Sequence, residues 1–199
     1  MEIYLNTDEF EEITNSFELL ANQADQLDDV YQWKWVILSM HSTLQGFMVI
    51  GLRDSAGLNI LKDKIAQKWL RAYRSGDPLP VEKLDTFLNL YKKIKSNRMI
   101  RLVFSRKYEP SADSDRSIKM LNMLRNKFIH FIPGGWLLEV SGLPKICLDC
   151  IEIIEFLGWK SGNVLWHKNE LEVKCKTAIE KCKHIFNDLH HKYNNDQNT

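Results

Sequence analysis

Between Trp35 and Leu52 the chain runs for 18 residues without an Asp, Glu, Lys or Arg. An apolar segment of that length either crosses a bilayer or lies at the centre of a bundle of helices. Ser39, His41, Ser42, Thr43 and Gln45 are spread through it, and so many polar groups are costly in hydrocarbon, so the segment is expected to be a buried core helix. It is the expected centre of the fold. The helix before it starts where Thr7-Asp8 supplies a cap and acids follow in the first turn. Phe10, Ile13, Phe17, Leu20, Ala24 and Leu27 then recur at helical spacing, to about Gln26. Gly46, in the core helix, allows a neighbour to approach closely.

The same periodicity places helices at about 58–74, 81–96, 115–132 and 168–191, and one from Pro144 to Phe156 with the proline in its first turn. The third of these carries Ile118, Leu121, Leu124, Phe128 and Phe131 on its apolar side before Pro133-Gly-Gly stops it. Trp136 to Val140 reads as an extended segment or one strand of a short hairpin. With 44% hydrophobic residues in 199, the chain can bury a substantial core. The expectation is an all-α single domain over residues 1–192, a bundle of six or seven helices, with a disordered tail at 193–199.

The first residues lack a secretory pattern, so the expected location is the cytoplasm, with no membrane partner. Four cysteines are then most simply reduced thiols. Cys147 and Cys150 form a C-x-x-C, but no second pair follows at zinc-site spacing. Cys175 and Cys182 fall on a stripe with Leu171, Ala178, Ile185 and Leu189, which predicts core positions. No metal site and no cofactor is expected.

Charge is unevenly spread. Residues 1–33 hold nine acids and no Lys or Arg, leaving 27 basic side chains against 17 acidic ones on the remainder. The stretch Lys92 to Lys107 has seven cations and no acid, interleaved with Phe104 and flanked by Tyr91 and Tyr108. It reads either as a solvated face or as a contact for phosphates, and Arg98, Arg101, Arg106 and Lys107 are the candidate RNA-binding residues.

The glycine-rich nucleotide loops, the serine-hydrolase elbow and H-E-x-x-H are all missing from the sequence. What remains is Leu124-Arg125-Asn126-Lys127-Phe128-Ile129-His130-Phe131. The Arg-x4-His spacing alone recurs by chance, so context carries the reading. Asn122, Asn126 and His130 recur every fourth residue, a polar stripe on an otherwise apolar helix. His130 also falls in the last turn, where the helix dipole favours an imidazolium and the nearby Arg125 opposes it. A second polar pair, His41 and Gln45, sits one turn apart in the core helix, either as buried and satisfied groups or as support for the site.

This segment resembles the active motif of the HEPN superfamily, helical-bundle proteins that include dimeric ribonucleases of toxin–antitoxin and phage-defence systems. The matching positions are Arg125, Asn126 and His130, and the likeness is specific over residues 115–135. It implies a metal-independent endoribonuclease in which the RNA 2′-hydroxyl is the nucleophile. His130 would transfer the proton, Arg125 bear the phosphate charge and Asn126 orient the substrate, with His41, Gln45 and Asn122 behind them. RNA, a second copy of the chain and an antitoxin or regulatory protein are the implied partners. Some family toxins carry a modified Tyr two residues after the His; here that position is Ile132. Other members are inactive nucleotide- or protein-binding modules, which keeps that alternative open. Arg125 and His130 lie about 140° apart on a straight helix, so the helix end must loosen or a second copy must complete the site.

Overall fold

A computed structural model describes residues 2–130 and 133–196; Phe131 and Ile132, expected to close the fifth helix, lie outside the described residues, as do 197–199. The described chain forms seven α-helices and no strand: α1 Glu9–Ala24, α2 Gln32–Leu52, α3 Asp63–Ser75, α4 Phe87–Ile94, α5 Ala112–Ile129, α6 Leu143–Glu155 and α7 Asn169–Asp196. The fold is the all-α bundle that the periodicity predicts.

α2 is the centre. Although long and apolar enough to cross a membrane, it buries Trp33, Val36, Ile37, Met40, Leu44, Phe47, Met48 and Leu52 completely or nearly so and touches α1, α4, α5 and α6. α1 starts where Asp8 accepts hydrogen bonds from the backbone N–H groups of Phe10 and Glu11, both 2.9 Å. It then lays Ile13, Phe17 and Leu20 against α2 and α7. A Cβ at Gly46 would penetrate the Ile13 side chain, so the missing side chain sets how closely α1 and α2 approach. α7 contributes Cys175, Ala178, Ile179, Cys182 and Phe186 to the same core, and all four cysteines are free and buried.

Three helix starts differ from the periodic reading, each for a local reason. The helix expected at 58–74 begins only at Asp63, and the one expected at 81–96 only at Phe87. Between them an isolated antiparallel bridge joins Leu61 to Leu84. It is flanked by Lys62 N–H donating to Lys83 O at 3.1 Å and Asp85 N–H donating to Ile60 O at 2.9 Å. Those bonds hold both segments extended, and Thr86 then caps α4 through Asn89 N–H. α5 begins at Ala112 because Ser111 accepts from Ser114 N–H at 3.1 Å.

Of the two alternatives for residues 136–140 the extended segment holds, and among the described residues it forms no hairpin. Trp136 packs on Phe128, ring centroids 5.1 Å apart, under the Lys127 ammonium at 4.0 Å. Leu138 and Val140 lean on the core while Leu137 and Glu139 face outward. The alternation is that of a strand, but among the described residues its backbone pairs with no neighbouring strand. At the other end, α7 continues to Asp196, past the expected stop at 191 and into the expected tail.

Replacing Gly46 with Ala should destabilise the protein by about 1–3 kcal/mol, because overpacking against Ile13 outweighs the gain in helix propensity. Chemical denaturation of the two proteins measures it; a stabilised Gly46→Ala would show that the α1–α2 spacing is not limiting.

Candidate functional site

Asn122 and Asn126 of the α5 polar stripe meet the polar pair of α2 at one place. A pocket of about 470 Å³ is lined by His41 and Gln45 from α2, Asn122, Arg125 and Asn126 from α5, and Asp85 to Leu88 at the start of α4. The helical repeat explains the convergence: residues 41 and 45, and 122 and 126, are each one turn apart on facing helices.

Within the pocket His41 is 5% exposed. Its ring stacks on Phe87, centroids 3.9 Å apart and planes 22° from parallel. Its Nε2 lies 3.4 Å from Asn122 Oδ1, a long contact in which a protonated Nε2 donates to the amide oxygen. Burial, reinforced by the Arg125 charge and opposed by the Asn122 bond, brings His41 from 6.5 down to about 4. It is therefore a neutral imidazole at physiological pH. Arg125 donates from Nη1 to Asn126 Oδ1 at 3.0 Å. Arg125, Asn126, Asn122 and Gln45 are half-buried, so the guanidinium can meet an anion entering from solvent.

His130 stands elsewhere. It is the C-cap residue of α5, its N–H donating to Asn126 O at 3.0 Å, its side chain exposed and not among the residues lining the pocket. The structure thus brings Arg125, Asn126, Asn122, His41 and Gln45 together within one chain and leaves His130 outside, as the angle on a straight helix requires.

Asp85 forms a wall that the sequence reading missed, because it placed residues 81–96 in one helix. Its buried carboxylate accepts from Thr86 N–H at 2.9 Å, Asn89 Nδ2 at 2.8 Å and Lys93 Nζ at 2.7 Å. Burial pushes this carboxyl up, but the three donors together hold it below its ordinary value. The Asp-Thr pair followed by Asn89 is a helix-start signature that the capping rule detects.

Three of the seven cations in the run are matched by acids from elsewhere. Lys93 is buried between Asp85 and Asp63, Arg98 pairs with Asp63 at 2.7 Å and Lys95 with Asp115 at 2.7 Å. Arg101 donates to the carbonyls of Arg53 and Asn163, tying the segment to the end of α2 and to the loop after α6. Of the four candidate RNA contacts, Arg98 and Arg101 are therefore engaged in holding the fold. Arg106 and Lys107 are exposed, and their side chains have no ion-pair partner among the described residues.

Compared with known proteins, the chain matches no family model, no curated protein and no solved structure.

The His41 ring proton resonances should stay flat from pH 8 to pH 5 and move only near pH 4. Arg125→Gln should raise that midpoint by removing the opposing charge. Because the folded value lies below the unfolded one, the unfolded state binds the extra proton. Stability should then fall as pH drops from 6.5 toward 4, by about 3 kcal/mol at most from this group. A normal midpoint near 6.5 would mean that the ring is hydrated.

Proposed function

We propose that the protein is a metal-independent endoribonuclease of the HEPN type, whose working site is assembled from two copies of the chain. The observation that supports this most is the pocket in which Arg125, Asn126 and Asn122 converge beside a neutral histidine. Cleavage by 2′-hydroxyl attack needs a cation for the phosphorane oxygens, a proton carrier and in-line positioning. Arg125 offers the cation, half-buried and open to an anion. Asn126 and Asn122 offer amides that can orient a phosphate or a ribose. The exposed His130 offers the proton carrier, and its place outside the pocket of its own chain is the reason for invoking the second copy. The products would be a 2′,3′-cyclic phosphate and a 5′-hydroxyl. Toxin or phage-defence activity, and restraint by an antitoxin or regulatory protein, follow from the same family likeness.

A second reading, a catalytically silent module that binds a nucleotide or a protein through the same pocket, is favoured by one observation. Among the described residues of one chain, the histidine that lines the pocket beside Arg125 is His41, which burial keeps neutral and which Phe87 covers.

Pure protein should cleave single-stranded RNA in EDTA and leave DNA intact. Arg125→Ala and His130→Ala should each lose on the order of a hundredfold or more in rate, and Asn126→Ala less. An equal mixture of the two inactive variants should regain about a quarter of parental activity, because each mixed dimer carries one intact site. If the mixture stays dead while the parent is active, the site lies within one chain. If the parent cleaves nothing but binds nucleotides through Arg125, the silent-module reading holds.

A further inference from the structure

A second cavity adjoins the first. Between α3 and α4 runs a groove of about 720 Å³, and its lining shares Asp85 and Thr86 with the pocket of Arg125. Six cations line it: Lys62, Lys64, Lys68, Lys92, Lys93 and Arg98. Only two acids accompany them, and both are already matched, Asp85 by Lys93 at 2.7 Å and Asp63 by Arg98 at 2.7 Å and Lys93 at 3.3 Å. Lys62, Lys64, Lys68 and Lys92 are exposed and make no salt bridge among the described residues.

Four ammonium groups around one concavity repel each other, and their summed potential attracts a polyanion. Packing is not what gathers them. α3 buries none of its residues, so its lysines are not stems folded over a core. What fixes the groove is the Leu61–Leu84 bridge, which binds the start of α3 to the segment leading into α4. Lys93 is anchored at its floor, donating to Leu61 O at 2.6 Å as well as to Asp85 and Asp63. The floor is therefore tied together and charge-balanced, while its rim carries four cations without a salt bridge among the described residues.

We propose that the α3–α4 groove binds the phosphodiester backbone of single-stranded RNA and leads the strand past Asp85 and Thr86 into the Arg125 pocket. The choice of RNA rests on the ribonuclease reading; the demand for a polyanion rests on the groove alone. This track differs from the cationic run that the sequence suggested. It draws two lysines from α3 and a third from the residue before it, and keeps of that run only Lys92 as a free contact.

Binding is best measured on a labelled single-stranded RNA fully 2′-O-methylated, which cannot be cut, as a function of salt. Replacing Lys64, Lys68 and Lys92 together by Gln should weaken binding tenfold or more at low salt. It should also reduce the slope of log affinity against log salt by about 2, since each phosphate contact on a single strand contributes about 0.7. The control removes the same charge from α7 through Lys174→Gln, Lys176→Gln and Lys192→Gln, and should leave the slope within error of the parent. Thermal melting confirms that both triple variants remain folded, and Lys68→Glu alone provides a second variant that should weaken binding in the same direction. Equal losses from the groove and α7 variants, or an unchanged slope in the groove variant, would overturn the track. An unmodified RNA separates the two proposals. Groove-dependent binding without cleavage refutes the nuclease and leaves the track standing, and cleavage that the groove variant does not impair at any salt refutes the track and leaves the nuclease.

Discussion

Burial of α2 on several sides is the constraint from which the remaining arrangement follows. A helix without Asp, Glu, Lys or Arg from Trp35 to Leu52 has no side it can give entirely to water, so α1, α4, α5 and α6 each cover a strip of it. Its side chains dictate the fit. Gly46 admits Ile13 of α1, and Phe47 fills the space that Gly158 leaves at the turn after α6. At about 25 cal/mol per Å² of apolar surface, such a helix contributes more to the core than any amphipathic neighbour can.

The same burial gives the site its character. His41 and Gln45 belong to α2 and must go wherever its core packing carries them, and α5 meets them with Asn122, Arg125 and Asn126. A histidine placed there is dehydrated by the bundle and faces a guanidinium, so it stays neutral. Placing polar groups on the central helix costs stability unless they are satisfied. His41 recovers part of that cost through Phe87 and Asn122.

Charge is organised by a second rule, that buried charge must be matched. Lys93 lies in the core wall only because Asp85 and Asp63 reach it from two other segments. The consequence spreads along the surface. Acids that are absent from the local sequence of the cationic run arrive through the fold and match three of its seven cations, while the lysines around α3 keep their excess.

The sequence alone determined the helical class, the central place of α2, the close approach at Gly46, the buried cysteine stripe and the polar stripe of α5. Each of these depends on the identity and spacing of residues within one helix, and the 3.6-residue repeat converts that spacing directly into a face. The 140° between Arg125 and His130 was legible in the same way, but whether the helix end loosens to bring them together was not; the structure keeps α5 helical to Ile129 and leaves His130 outside the pocket. Tertiary structure decided the rest. The joining of His41 to Arg125, the arrival of Asp85 and Thr86, the neutralisation of Lys93 and Arg98, and the truncation of two helices by the Leu61–Leu84 bridge all involve segments distant in the chain. A helical period says which face a residue occupies, but not which other face it meets. That choice is made by packing around α2, where the residues that touch are selected by shape and by the matching of buried charge.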